Sequence, residues 1–221
     1  MSFSLNKKTI FFLIILSGTI LRFYNINYDN LWYDEIISFW VANPNHSFED
    51  SLIFHKQIEI APYAFNFILK YFYQIFGYDV NYARYLPAFF SVLTIAIVFQ
   101  ISKEIDVKEN THLLATFLTS FNIFLISYAQ EQRLYSILIF FVLTSILFFL
   151  KLQKKNPDII DLIFFIITSI CLIILHLFSV FIIFSFILYQ LLIFIKKKEQ
   201  FFRLNLALGF LSILVLIYYI P

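Results

Sequence analysis

Two adjacent carboxylates, Asp34 and Glu35, lie between Trp32 and Trp40 just after the first apolar segment of the chain. Tryptophans are enriched where a protein crosses the surface of a bilayer, and a carboxylate there can act as a general base or bind a divalent cation. Neighbouring residues on a helix point about 100° apart, so we expect one carboxylate to face a substrate and the other to support the fold. The alternative is that both acids complement the dipole of a helix N-terminus.

A second polar group lies in a short turn between two apolar segments, within Ser127–Ser136. Ionisable side chains near the membrane boundary are costly unless they are paired or used. Arg133 is the best candidate for binding a phosphate, because a guanidinium binds oxygens bidentately and stays charged. Tyr128, Gln130 and Glu131 are its candidate substrate-binding neighbours. The alternative is that Glu131 and Arg133 only pair with each other at a helix end.

Two further residues could contact a substrate. Arg84, at the end of an apolar segment, is either a second phosphate ligand or a side chain that reaches the lipid headgroups. His176, between two apolar segments, either contacts substrate or is a hydrogen-bonded structural residue. The sequence has three glycines, no glycine-rich phosphate loop and no Cys/His metal spacing. We therefore expect neither a nucleotide substrate bound in the usual way nor a nucleic-acid partner.

The composition is that of an integral membrane protein. Of the 221 residues, 61% are hydrophobic, 14% are charged and 31 are phenylalanine, with a mean hydropathy of +0.84. A soluble fold of this size could not bury so much apolar surface. The single cysteine, Cys171, excludes a disulfide within the chain.

After a short first apolar segment, six further segments have close to the roughly 17–25 residues that cross a bilayer, so we predict an all-α membrane protein with about seven transmembrane helices. The first segment is either an uncleaved signal anchor or a cleaved signal peptide. In the fold we predict, the proline of the second segment lies in the first helical turn, where its missing N–H costs least. The predicted spans are Thr9–Leu21, Ala83–Ser102, Thr111–Tyr128, Leu134–Leu150, Ile159–Leu175, Leu177–Ile195 and Leu204–Ile220.

The stretch of residues 24–82 is the longest one without a span, and we interpret it as a first external loop. Three short helices are predicted in it, at Trp32–Val41, Phe48–Gln57 and Tyr63–Phe76. The third follows Pro62, which favours a helix start, and stops at Gly77, which favours a helix end. A narrow polar stripe on this otherwise apolar helix predicts that it lies in the plane of the interface.

The distribution of positive charge predicts the orientation. If the N-terminus is cytoplasmic, eleven lysines and arginines fall on the inner side and five on the outer side, as the positive-inside rule requires. This orientation places the acidic pair, the turn that carries Arg133, and His176 on the non-cytoplasmic face. We expect a multi-pass protein of a bacterial plasma (inner) membrane, with the lipid bilayer as its surroundings.

These motifs, in this order, resemble the N-terminal transmembrane module of the GT-C glycosyltransferases, and most of all the family 39 branch, which includes protein O-mannosyltransferases and the aminoarabinose transferase of lipid A. The resemblance covers nearly the whole chain. It is carried by Asp34-Glu35, Ala61-Pro62-Tyr63, Phe76-Gly77, Ala83-Arg84-Tyr85-Leu86-Pro87, Tyr128–Ser136 and Leu175-His176 with Phe178.

Two departures from the family pattern affect what we expect. Ile60-Ala61-Pro62-Tyr63 stands where family members often carry His-Pro-Pro-Leu, and His55 lies too far upstream in the sequence to be a clear substitute. Family members are also longer, with further spans and often a distal domain. We therefore expect residues 1–221 to form a single, truncated GT-C-like module, and whether this form is active or an inactive fragment stays open.

The resemblance implies transfer of a hexosyl or pentosyl group from a polyprenyl-phosphate-linked sugar to a protein hydroxyl, a lipid or a glycan. In that reaction Asp34 would be the base, Glu35 its support, and Arg133 with Arg84 the counter-ions of the leaving phosphate. Some relatives place a divalent cation between acid and phosphate, with Asp34 or Glu35 as its ligand here. The sequence neither requires nor excludes that cation, and we expect no other cofactor.

The competing class is a non-catalytic or transporter-like membrane protein that binds lipid phosphate. A transporter would be expected to carry polar residues or broken helices at the midplane of its spans. The third to sixth predicted spans carry mostly Ser and Thr there and no charge, which favours the glycosyltransferase.

Overall fold

A computed structural model describes residues 6–59, 61–105, 108–154, 156–196 and 202–219. The regular structure in these ranges is entirely helical and divides into two compact units, Met1–Phe140 and Phe141–Pro221. Some residues used in the sequence predictions lie outside the described ranges, namely Ile60 of the family motif and three cations counted for the orientation, Lys155, Lys197 and Lys198.

The first unit contains seven complete helices and the start of an eighth, and the second contains the remainder of the described helices. Those of the first unit are α1 (Lys7–Phe23), α2 (Tyr33–Val41), α3 (Phe48–Ile58), α4 (Ala64–Phe76), α5 (Tyr85–Glu104), α6 (Glu109–Ser120) and α7 (Ile123–Ala129), with a 3-10 turn at Val80–Tyr82. Helix α8 (Tyr135–Leu152) runs from the first unit into the second. The second unit continues with α9 (Ile159–Leu175), α10 (Ser179–Lys196) and α11 (Phe202–Tyr219).

The three short helices predicted in the first loop are confirmed to within one residue at each end, as α2, α3 and α4. Ser47 caps α3 by accepting a hydrogen bond from the backbone N–H of Asp50 at 3.0 Å, as serine does at many helix starts. Helix α4 ends at Gly77, whose φ of +103° suits glycine and strains other residues. Local signals thus predict these helices well.

The expected seven spans are not established. By length and composition, two helical stretches could cross a membrane: α8, and Val80–Glu104, which contains α5. Helices α6 and α7 would make a third if they form one bent span, whereas the apolar parts of α9, α10 and α11 are shorter. The protein is therefore an all-helical membrane protein with two or three candidate spans and several shorter apolar helices among the described residues.

The prediction of one continuous helix over Thr111–Tyr128 is wrong, because α6 and α7 meet at a 51° bend. The side chain of Asn122 accepts a hydrogen bond from the backbone N–H of Leu125 at 3.0 Å and so starts a new helix. The break leaves carbonyl groups at the end of α6 that the helix itself does not use. A buried arginine from α1 satisfies two of them.

That arginine is Arg22, which is fully buried. Its guanidinium donates to the carbonyls of Thr119 and Ser120 at 3.1 and 2.9 Å, to Gly18 O at 2.9 Å and to Ser91 Oγ at 2.7 Å. These bonds join α1, α5 and α6 around one positive charge.

Gly18 allows this close packing. A Cβ atom at Gly18 would lie 2.7 Å from Ile95 Cδ1 and 3.0 Å from Ser120 Cβ, both closer than such atoms normally approach. Glycine at this position therefore lets α1 approach α5 and α6 closely enough for Arg22 to reach their polar groups.

The second unit has its own apolar core. Helices α9, α10 and α11 pack against one another, with Phe165, Ile183 and Leu211 among the buried side chains. The Tyr219 hydroxyl donates a hydrogen bond to the carbonyl of Ile173, which joins α11 to α9.

Replacing Arg22 with methionine should destabilise the protein by about 3 kcal/mol, because buried carbonyls at the α6–α7 break would lose charged donors. At about 2–4 °C per kcal/mol for a chain of this size, the thermal midpoint should fall by about 6–12 °C. The measurement is thermal unfolding of the purified protein in detergent. The matched control is Arg203→Met on the exposed surface of α11, which should shift the midpoint little; an equal shift in both variants would contradict the role of Arg22.

Candidate active site

The centre of the site is a buried ion pair between Glu35, in the first turn of α2, and Arg84, just before α5. Glu35 is fully buried and Arg84 is 4% exposed. Arg84 Nε donates to Glu35 Oε1 at 2.9 Å, and Arg84 Nη2 donates to Glu35 Oε2 at 2.8 Å. This two-bond geometry is the strong form of an arginine–carboxylate contact.

Arg84 has no N–H left for a further ligand. Besides its two bonds to Glu35, it donates to the backbone carbonyls of Ile26, Asp29 and Asn30 at 3.1–3.2 Å. A guanidinium has five N–H groups, and here all five have protein acceptors. The predicted phosphate contact is therefore not favoured by this geometry, nor is the alternative of a side chain that extends to the headgroups. Arg84 therefore has a structural role.

Glu35 also holds other parts of the chain. Its Oε1 accepts a hydrogen bond from the backbone N–H of Gln132 at 2.6 Å, and its Oε2 accepts one from the backbone N–H of Trp32 at 3.2 Å. The first bond ties the turn before α8 to α2, and the second closes the start of α2 in the manner of a capping box. Both oxygens of Glu35 are thus occupied.

Asp34 differs sharply from its neighbour. Its side chain is half-buried, and within the described part of the chain its carboxylate forms no hydrogen bond or ion pair. The backbone carbonyl of Asp34 accepts a hydrogen bond from Arg133 Nη1 at 3.2 Å. The two adjacent acids therefore have separate environments: Glu35 is locked into the fold, and Asp34 has free oxygens next to a cation.

Among the described residues, Arg133 is held through one nitrogen only. Its Nη1 donates to Glu59 Oε1 at 2.7 Å, to Ser38 Oγ at 2.9 Å and to the Asp34 carbonyl. Its Nε is buried without a partner, and no described residue accepts from Nη2. Burial disfavours the charge of Arg133, but the hydrogen bond and the charge of Glu59 outweigh burial and raise the pKa of Arg133. Within the described residues, Nε and Nη2 of Arg133 are therefore the donors without an acceptor, and Nε is enclosed by protein.

The alternative that Arg133 pairs with Glu131 is wrong, since its ion-pair partner is Glu59. Glu131 is half-buried. Burial, together with repulsion from Glu35, raises its pKa above the usual value, although Arg84 and Arg133 offset part of this effect. Glu131 is therefore protonated more readily than an exposed glutamate as the pH falls.

The other predicted residues of the turn hold its shape. The Gln130 amide donates to the carbonyls of Leu21, Arg22 and Tyr24 at 3.0–3.4 Å and so caps the end of α1. The carbonyl of Tyr128 accepts from Ser136 Oγ at 2.9 Å. These contacts fix the position of Arg133 relative to α1 and α8.

His176 belongs to the second unit, whereas the other seven predicted site residues belong to the first. It ends α9, and its Nδ1 accepts a hydrogen bond from the backbone N–H of Phe178 at 3.1 Å. Partial burial lowers the pKa of His176, because the charged imidazolium would lose solvent. Within its unit His176 forms a local turn, and its predicted substrate contact remains a prediction.

Sequence reasoning missed Glu59 and dismissed His55 too early. The imidazole of His55 lies 2.5 Å from the carbonyl of Ala61, beside the motif position from which it had seemed remote. The i, i+4 spacing of the two residues on one helix turn was the available signal. The contact between Glu59 and Arg133, however, joins residues that are 74 positions apart in the sequence, and no local pattern indicates it.

Among the described residues, no three His, Cys, Asp or Glu side chains form a cluster that could hold a metal ion.

Comparison with known protein families identifies the family of the chain. The family model described as dolichyl-phosphate-mannose-protein mannosyltransferase matches residues 50–220, well over half of the chain. The chain belongs to this family. The match includes Glu59, Arg84 and Arg133 and begins after the acidic pair. A search of curated proteins finds no match.

Membership agrees with the resemblance seen in the motifs and identifies the chain as a member of an integral membrane glycosyltransferase family. Family membership implies a mannosyltransferase that uses a polyprenyl-phosphate-mannose donor. The apolar helices of the chain are the elements that would place such an enzyme in a bilayer.

The two neighbouring acids should respond differently to the loss of charge. Glu35→Gln should destabilise the protein by about 3–5 kcal/mol, because it leaves Arg84 buried without a counter-ion. Asp34→Asn should change stability by less than about 0.5 kcal/mol, since it breaks no contact of the carboxylate. Denaturant unfolding in mixed micelles measures both, and equal losses would contradict the proposed division between the two residues.

Proposed function

We propose that this protein transfers a mannosyl group from a polyprenyl-phosphate donor to a hydroxyl group on the non-cytoplasmic face of the membrane. The single observation that supports this best is the incomplete coordination of Arg133 beside the free carboxylate of Asp34. A phosphate needs a cation with open N–H groups, and a hydroxyl nucleophile needs a nearby base. Asp34 in the first turn of α2 and Arg133 in the turn before α8 bring these two groups together.

In the proposed reaction, Asp34 accepts the proton of the acceptor hydroxyl while the hydroxyl oxygen attacks the anomeric carbon of the sugar. A bond forms between that oxygen and that carbon, and the bond from the carbon to the phosphate oxygen breaks. The electron pair leaves with the polyprenyl phosphate. Attack from the face opposite the leaving group inverts the anomeric centre.

Arg133 stabilises the charge that develops on the leaving phosphate. Fixed donors aimed at such a charge are worth most where water is scarce, and the Arg133 side chain is 11% exposed. Glu35 and Arg84 act as positioning residues, because they hold α2 and the turn of Arg133 together without a free donor or acceptor of their own.

Several finer features belong to the same proposal. We propose seven spans with a cytoplasmic N-terminus in a bacterial plasma (inner) membrane, supported by the charge asymmetry and by the apolar helices. The acceptor is a protein hydroxyl, as the family implies, and a lipid or a glycan is the alternative. Of the two acids, Asp34 is the one with free oxygens, so Asp34 would be the ligand if the reaction uses a divalent cation.

The test is sugar transfer in membranes that carry the native gene with single substitutions. Asp34→Asn and Arg133→Ala should each lower transfer from polyprenyl-phosphate-mannose by at least about 100-fold, the usual effect of losing a base or a charge-stabilising donor. Thermal midpoints should show that Asp34→Asn folds normally.

The controls are Glu49→Gln and Arg203→Ala, which remove exposed charges of the same sign and should leave transfer unchanged. Near-normal transfer by both site variants would contradict the assigned roles. Binding of the donor without any transfer by the unaltered protein would favour the alternative, a non-catalytic membrane protein that binds lipid phosphate.

A further inference from the structure

Glu59 follows the last turn of α3 and its carboxylate contacts two other site residues. Glu59 Oε1 lies 2.7 Å from Arg133 Nη1, and Glu59 Oε2 lies 3.6 Å from His55 Nδ1. The side chain is 15% exposed. Little water is therefore available to screen its charge, and the two neighbouring groups decide how much of that charge is compensated.

His55 does not compensate it. The imidazole Nε2 lies 2.5 Å from the carbonyl of Ala61, which can only accept a hydrogen bond, so Nε2 carries the proton. Nδ1 accepts from the side-chain amide of Asn66 at 3.0 Å. His55 is only 2% exposed, and with the Asn66 amide in this orientation both ring nitrogens have partners when Nδ1 carries no proton. Arg133 is therefore the cation that pairs with Glu59.

Part of the positive charge of Arg133 is thus offset before any ligand binds. Glu59 compensates its charge directly, and the free carboxylate of Asp34 adds a second negative charge nearby. The Glu35–Arg84 pair contributes no net charge. An anion at Nη2 gains hydrogen bonds from Arg133 but meets repulsion from two acids, and the repulsion grows with each unit of charge on the anion.

We propose that Glu59 makes this site selective for singly charged phosphodiesters over doubly charged phosphomonoesters. This inference rests on the proposed function and adds a consequence to it. The donor, a polyprenyl-phosphate sugar, is a phosphodiester with one negative charge. When the sugar leaves, the lipid product is a phosphomonoester, which carries a charge of about −1.5 to −2 at neutral pH. Glu59 therefore favours binding of the donor and release of the lipid product.

The test compares two ligands that differ in charge and share a short isoprenoid chain: methyl citronellyl phosphate, a diester, and citronellyl phosphate, a monoester. Dissociation constants are measured at pH 8 with the full chain in a detergent that contains no phosphate. Glu59→Gln keeps an oxygen that can accept from Arg133 and removes only the charge. It should tighten monoester binding about tenfold more than diester binding.

The matched control is Glu49→Gln, which removes an exposed charge from the same helix and should leave the ratio of the two dissociation constants unchanged. If Glu59→Gln leaves the ratio of the dissociation constants unchanged, or if Glu49→Gln shifts it equally, the proposed role of Glu59 is wrong. Neither result contradicts the phosphate site itself. If neither ligand binds the unaltered protein, the proposed function fails and this inference with it.

A competition measurement distinguishes the donor from ordinary lipid headgroups, which also contain a phosphodiester. Phosphatidylglycerol is also a singly charged phosphodiester, and we expect it to displace methyl citronellyl phosphate only weakly from the unaltered protein. Displacement at equal concentrations would overturn the assignment of the selective site to the isoprenoid donor.

Discussion

The rest of the candidate site depends on the buried ion pair between Glu35 and Arg84. The free energy needed to remove two charges from solvent exceeds the attraction between them unless every remaining donor and acceptor is satisfied. Here Arg84 uses all five N–H groups, and Glu35 accepts from the backbone of Gln132 as well. The pair thereby joins the start of α2, the segment after α1 and the turn that carries Arg133.

The buried cations of the first unit fall into two groups by their hydrogen bonds. Arg22, Lys70 and Arg84 are surrounded by acceptors; the Lys70 ammonium, for example, donates to two backbone carbonyls and to Ser51 Oγ. Arg133 differs, since its Nε is buried without an acceptor in the described part of the chain. A saturated cation holds backbone in place, whereas an unsaturated one beside a free carboxylate is suited to bind and stabilise an anion.

Local features of the sequence were enough to predict α2, α3 and α4, because caps, Pro62 and Gly77 act within a few residues. They were also enough to predict that the two adjacent acids have different surroundings, since helix geometry points them apart. They did not predict the break between α6 and α7, which depends on Asn122 and a distant arginine, nor the link from Glu59 to Arg133. Pairings across long stretches of sequence leave no periodic signal, and seven apolar runs do not by themselves establish seven spans.

A double-mutant cycle on Glu35 and Arg84 tests the central claim most directly. The free energy of unfolding is measured in mixed micelles for Glu35→Gln, Arg84→Gln and the double variant. If the pair holds the site together, each single substitution costs about 3–5 kcal/mol and the double variant costs little more than one of them, because neither charge is then left buried alone. Costs that add to within about 0.5 kcal/mol would show two independent residues and would contradict the account.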